Sequence, residues 1–135
     1  MQDFSRAGIK LGVFGDIDLE DHRTWEEQVC ATAGLAAWLP LWQQPRLDLL
    51  SELIDLGFKA TIISIKADLL DRSFLGRVID RTVVQQLLAA GVDPSGEEGE
   101  YHTVVTDGPL FKTPVPIRLG EQVPYAGYWF QSVSV

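Results

Sequence analysis

Cysteine, basic residues and long apolar runs are scarce in this 135-residue chain, and each shortage excludes a class of protein. The one cysteine, Cys30, cannot form an internal disulfide, so nothing indicates an oxidising compartment and we expect the cytoplasm. The 11 Lys and Arg are outnumbered by 19 Asp and Glu, which argues against binding to nucleic-acid phosphates. No run of about 18 apolar residues exists, and the N-terminus lacks an export pattern. We therefore expect neither nucleic acid nor a membrane as a partner.

Common catalytic and phosphate-binding motifs are also missing. The sequence contains no GxxxxGK[ST], GxGxxG, HExxH or GxSxG and no paired cysteines, which removes the usual P-loop, dinucleotide, zinc and hydrolase interpretations. We predict no protein ligands for a metal. What is present is the composition of a globular domain, with 46% hydrophobic and 10% aromatic residues. This length predicts one compact unit with its own core.

The N-terminal part of the chain begins with strand-like and helix-like segments. Residues 9–17, IKLGVFGDI, predict a short buried strand that opens into a loop at Gly15 and Asp16. Asp18 is the expected N-cap of a helix over residues 19–35.

The segments that follow predict an α/β fold. We expect a brief strand in residues 36–42, a helix over 46–56 and a β-branched strand over 58–67, an order typical of a parallel sheet with right-handed crossovers. Residues 68–90 have mostly helical signals with a break around SFLGR, and residues 101–135 alternate like antiparallel strands.

Polar residues near the predicted first strand suggest a ligand site. Open α/β sheets bind ligands at the carboxyl ends of their strands, where Asp16 would face a nucleotide. The alternative is an ordinary turn, for which Gly-Asp is a common pair. His22, on the predicted first helix near Trp25, is expected to pack or to form a hydrogen bond near the start of that helix.

Residues 93–111, DPSGEEGEYHTVVTDGPLF, place many ionisable groups in a glycine-rich segment. Clustered carboxylates need compensation by water, a metal ion, backbone amides or a cationic substrate. Gly96 and Gly99 would let the backbone approach a ligand, and Glu100 and His102 would share one face of the following strand. The alternatives are a solvated acidic loop and, for His102, a hydrogen-bonded histidine at a strand edge.

Seven segments, taken in order, resemble the ATP-binding family that includes diphthine–ammonia ligase. They are GVFGDI, HRTWEEQVC, PLW, LGFKATIISI, FLGRVID, GVDPSGEEGEYHT and DGPLF. The resemblance implies an adenine-nucleotide α-hydrolase-like fold of the PP-loop type, with ATP and Mg²⁺ as cofactors. It also implies ATP-dependent amidation, in which a carboxylate is activated with loss of pyrophosphate and ammonia then displaces AMP.

The family's leading strand and its SGGKDS pyrophosphate-binding loop are not found in this sequence. The resemblance is therefore to the C-terminal part of the family. It implies that residues 1–92 form an incomplete PP-loop-type α/β domain and that residues 93–135, the acidic motif and a β region, belong to the same compact unit. The expected partners are a small-molecule or modified-residue carboxylate, ammonia, and either a second copy or a complementing N-terminal chain.

Residue roles follow from the same resemblance. It implies catalytic roles for Glu97, Glu100 and His102, which would bind or deprotonate the amine and contact the acyl substrate. The implied nucleotide contacts are Gly15 and Asp16. The implied substrate contacts are Gly96, Glu98, Gly99, Tyr101 and Thr103. The alternative is a binding or assembly module of the same fold, without catalysis.

The acidic motif departs from the form typical of diphthamide-making members. They have EGGEYET, whereas this chain has EEGEYHT, with His102 in place of a glutamate. It is more similar to a bacterial branch with ENGEYHT, which is linked with cobalamin salvage, although Glu98 replaces the Asn and Ser95 the usual Cys. The resemblance thus leaves a corrinoid as an alternative substrate.

Overall fold

The structure is a computed structural model that describes residues 2–135. Its contacts divide the chain into two compact units, the first ending at Arg46 and the second spanning Leu47–Val135. The domain division expected at residue 92 stays a prediction. In chain order the elements are α1 (Gln2–Arg6), β1 (Leu11–Val13), α2 (Glu20–Thr32), β2 (Ala36–Trp38), α3 (Arg46–Asp55), β3 (Lys59–Lys66), a 3₁₀ turn (Arg72–Phe74), α4 (Arg81–Ala89), β4 (Tyr101–Asp107), β5 (Arg118–Tyr125) and β6 (Tyr128–Ser134).

In the first unit, β1 and β2 form a parallel pair connected through α2. The burial expected for β1 is wrong, since Leu11 and Val13 are 44% and 57% exposed. Gly12 lies between them and faces α2, because a Cβ atom there would lie 2.9 Å from Cys30 Sγ. Alternate strand residues point to opposite faces, so Leu11 and Val13 lie on the face that α2 does not cover.

The N-cap expected for α2 is also wrong. The capping position is Leu19, which provides no side-chain hydrogen bond to the helix. Asp18 instead accepts two hydrogen bonds from Arg46, at 2.8 and 2.5 Å, and this contact lowers the pKa of Asp18. A bidentate guanidinium–carboxylate pair is stronger than a neutral capping bond, so the distant arginine takes the carboxylate.

In the second unit, four antiparallel strands form a sheet in the order β4-β3-β6-β5. The sequence placed β3 in the parallel sheet, and this is wrong because β3 pairs antiparallel with both neighbours. A β-branched run predicts a strand but does not specify its partners, which are distant in sequence. The α/β class and the antiparallel region after residue 101 are both confirmed.

The main core of the second unit lies between this sheet and helices α3 and α4. Asp80 caps α4 by accepting a hydrogen bond from the Val83 amide at 2.7 Å. None of the helices within residues 2–135 has the length and apolar character needed to cross a membrane. The fully buried large side chains of this core are Ile62, Ile65, Val83 and Leu87.

Candidate functional site

The acidic segment between α4 and β4 is a loop organised by Asp93. Its carboxylate accepts hydrogen bonds from the amides of Ser95 and Glu97, at 3.1 and 3.4 Å. Gly96 and Gly99 have φ values of +70° and +79°, the left-handed region that glycine adopts without a steric penalty. The glycines are therefore required by the turns of the loop itself.

The Tyr101 side chain packs against the acidic loop. A Cβ atom on Gly96 would lie 3.0 Å from the Tyr101 ring, and the Tyr101 hydroxyl donates a hydrogen bond to the Pro94 carbonyl. Burial, together with nearby carboxylates, raises the pKa of Tyr101, so the phenol stays protonated. The structure thus gives Tyr101 a role in shaping the loop.

Glu100 is the most buried carboxylate of the loop, with 7% of its surface exposed. Its side chain accepts the Glu98 amide at 3.0 Å, and its backbone carbonyl accepts the Lys66 amide at 2.8 Å. The Tyr128 hydroxyl donates to the Gly99 carbonyl at 3.3 Å. Bonds from β3 and β6 therefore hold the end of the loop against the sheet.

His102 is exposed and lies on the face of the sheet opposite the main core. In the strand register it pairs with Ser64, which also pairs with Phe130, so these three side chains share one face. Ile65 pairs with Tyr101 on the other face, where both join the core. Glu100 precedes β4 and turns its carboxylate into the loop. Its shared action with His102 stays a prediction.

Ser64 was not singled out from the sequence. It is buried, and its hydroxyl has no hydrogen-bond partner among residues 2–135. Thr103 pairs with Ile62, and a β-bulge separates this pair from Ser64 and His102. Only the strand register places Ser64 beside His102, and no local sequence signal reveals it.

The other predicted site residues, Gly15 and Asp16, belong to the first unit. They follow β1, and the loop is tied to the segment after β2 by a 2.6 Å hydrogen bond from the Gln43 amide to the Ile17 carbonyl. Asp16 lies 2.7 Å from His22 Nδ1, so the hydrogen bond expected for His22 near the helix start is confirmed. The carboxyl ends of both parallel strands thus lie together, as a ligand site of this type requires.

A second residue missed from the sequence is Glu26, on α2. It is buried, and its carboxyl group lies against Asp16. Burial is the main cause that raises the pKa of Glu26 to about 7, and Asp16 acts in the same direction. The available sequence signal for Glu26 was its position one turn after His22. Two adjacent glutamates in an acidic chain, however, are typical of a solvated helix face.

Comparison with known proteins places these features in a family. Residues 45–134 match the family described as diphthamide synthase C-terminal domain. Proteins named diphthine–ammonia ligase from Bos taurus and Homo sapiens are each 33% identical over 132 residues, covering 94% of this chain and 48% of theirs. The Schizosaccharomyces pombe protein of that name is 34% identical over 108 residues, covering 77% of this chain and 18% of its own length.

The chain therefore spans about half the length of the mammalian relatives it matches. The matched segment includes the whole acidic loop and all four antiparallel strands. On these grounds the chain belongs to the diphthamide synthase C-terminal domain family.

Proposed function

We propose that this chain is the C-terminal portion of an ATP-dependent amide ligase of the diphthine–ammonia ligase type. The observation that supports this most is the acidic loop, which hydrogen bonds hold on the sheet within the segment that matches the family. Amidation activates a carboxylate with ATP and loss of pyrophosphate, and ammonia then displaces AMP. The chain would supply groups that bind the amine, accept its proton and position the acyl carbon.

The proposed amine-binding groups are Glu97, Glu100 and His102. Glu100 is fixed by an amide hydrogen bond, whereas the exposed imidazole of His102 is free to reach a substrate and take up a proton. We assign substrate contacts to the backbone at Gly96 and Gly99 and to the side chains of Glu98 and Thr103. Tyr101 would act on substrate only by shaping this loop.

In the first unit, we assign nucleotide contacts to Gly15 and Asp16 at the carboxyl end of β1. A Cβ atom on Gly15 would meet nothing within 4 Å, so the backbone there is open to a ligand. Within residues 2–135 no group of three or more His, Cys, Asp or Glu side chains is placed to hold a metal ion. We therefore propose that Mg²⁺ accompanies the ATP phosphates, and we assign no step to it.

The substrate and setting are part of the proposal. The motif EEGEYHT favours the bacterial ENGEYHT-type branch, for which a corrinoid carboxylate is the alternative to diphthine.

The exposed apolar residues of β1 and β2 favour a second copy or a complementing N-terminal chain as partner, and they also suit a non-catalytic assembly module. We also propose a cytoplasmic setting, which the single cysteine favours.

A chimera tests the proposed activity. The part of the human relative that aligns with this chain is replaced by this chain, and AMP release is measured with ammonium and either a diphthine or a corrinoid carboxylate. We expect His102→Ala or Glu100→Gln to lower the rate by about 10²- to 10⁴-fold, as loss of an acid–base group does. The exposed Lys112→Ala variant is the control. Equal rates in all variants would contradict the catalytic roles, and no AMP release would favour the assembly module.

A further inference from the structure

Three ionisable side chains meet where β1 opens into the loop before α2. The Asp16 carboxylate contacts His22 Nδ1, and the Glu26 carboxyl group lies against Asp16 from the next turn of the helix. Glu26 is 6% exposed, and one of its oxygens receives no hydrogen bond from the described part of the chain. Two carboxylates in this position repel each other, and neither can donate a hydrogen bond while both are ionised.

Two arginines of the first unit form ion pairs with carboxylates outside this cluster. Arg23, the neighbour of His22 on α2, pairs with Glu27 at 2.8 Å, and Arg46 pairs with Asp18 at 2.5 Å. The His22 ring nitrogen Nδ1 is hydrogen-bonded to Asp16, so this nitrogen gives no hydrogen bond to the orphaned oxygen of Glu26. A proton on Glu26 removes the repulsion and turns the contact into a hydrogen bond.

We propose that Glu26 is a positioning residue that keeps a proton and uses it to donate a hydrogen bond to Asp16, so that Glu26 and His22 together orient the Asp16 carboxylate at the carboxyl end of β1. This rests on the proposed role of Asp16 in binding the nucleotide. Glu26 acts through Asp16 and does not contact the nucleotide. With its proton bound, the pair carries one negative charge, and after the proton leaves it carries two.

The orientation of Asp16 then depends on pH. Burial and the neighbouring Asp16 raise the pKa of Glu26 to about 7, and the His22 charge acts in the opposite direction. Below about pH 7 the carboxyl group is protonated and holds Asp16. Above this pH the two carboxylates repel, so Asp16 loses one of its two partners. The oriented state is therefore the one on the acid side of neutrality.

Carbon-13 NMR of the side-chain carboxyl groups in this chain tests the proposal directly. We expect one glutamate signal to titrate with a midpoint near pH 7, to disappear in Glu26→Gln and to persist in Glu27→Gln, which alters an exposed neighbour. The amide introduced by Glu26→Gln still donates a hydrogen bond to Asp16, so the Asp16 and His22 signals at pH 6 should match the wild type. A Glu26 midpoint below pH 5 would overturn the proposal, as would altered His22 signals in Glu26→Gln at pH 6.

Binding of ATP, followed by the same NMR signals, separates this inference from the proposed function. We expect ATP to shift the Asp16 signal, and we expect binding to weaken more between pH 6 and pH 8 in the wild type than in Glu26→Gln. An equal change in the two proteins would overturn the positioning role. If ATP shifts no signal near Asp16, the nucleotide assignment fails, whereas the carboxyl titration alone still decides whether Glu26 holds the proton.

Discussion

At the scale of single residues, two buried glutamates differ in how their carboxyl oxygens are hydrogen-bonded. Glu100 keeps its carboxylate satisfied through the Glu98 amide, a donor supplied by the turn at Gly99. Glu26 has no backbone donor at its orphaned oxygen and lies against a second carboxylate, Asp16. A buried carboxylate needs donors, and where the backbone provides none a bound proton is the simplest replacement.

Substitution of Glu26 should change how stability depends on pH. The pKa of Glu26 is raised from 4.5 to about 7 in the folded chain, so the folded state binds more protons than the unfolded state between these values. Stability from this group is therefore complete below about pH 4.5 and is lost as pH rises through about 7. We expect Glu26→Gln to be more stable than the wild type at pH 8, with the advantage vanishing at pH 5, as measured by urea unfolding. A constant difference across this range would contradict the raised pKa.

Glycine substitutions separate backbone strain from steric contact in the acidic loop. Gly96 and Gly91 both have positive φ, but only a Cβ atom on Gly96 meets a neighbour, the Tyr101 ring. We expect Gly91→Ala to cost about 1–2 kcal/mol of unfolding free energy from the left-handed backbone alone. Gly96→Ala should cost more, and amide hydrogen exchange in residues 95–99 should rise only in that variant. Equal costs would show that Tyr101 does not constrain the loop.

At the scale of elements, the sequence predicted what depends on local pattern. The strand signal of β3 and the helix signal of α3 both have local causes. The pairing of β3 with β4 and β6 was missed because strand partners depend on contacts between distant residues. The same reason explains why Ser64 and Glu26 were missed, since each gains its neighbours only after folding.

Helix α4 offers a test of which elements hold the second unit together. Leu87 is fully buried in the main core, whereas Leu88, the next residue, is 48% exposed. We expect Leu87→Ala to lower the unfolding free energy by about 2–5 kcal/mol, because it removes buried methyl groups and leaves a cavity. Leu88→Ala should cost well under half as much in the same urea titration. Similar losses would mean that α4 does not pack as described.

At the scale of the whole molecule, net charge and exposed apolar surface have opposite effects on association between chains. A formal net charge of −8 favours separate, soluble chains. The β1–β2 pair, however, exposes Leu11, Val13 and Trp38, and parallel strands normally have both faces covered. We expect a second chain to cover this surface, and salt should favour the association by screening repulsion.

We therefore expect the chain to associate through the β1–β2 face. Light scattering after gel filtration should show a mass above that of one chain, and more so at higher salt. Val13→Lys places a charge on this face and should restore the mass of one chain, while Val133→Lys, at an exposed position of β6, serves as the control. A wild-type chain that is monomeric at every salt concentration would contradict association through this face.

The position of Cys30 under Gly12 provides a way to observe the first unit by itself. The thiol is fully buried, and it is the one cysteine of the chain. A thiol-labelling reagent can therefore reach it only when the helix α2 separates from β1, and each labelled molecule records one such opening. The labelling rate in the native state therefore reports local unfolding of this unit. The measurement needs no substitution and no further probe.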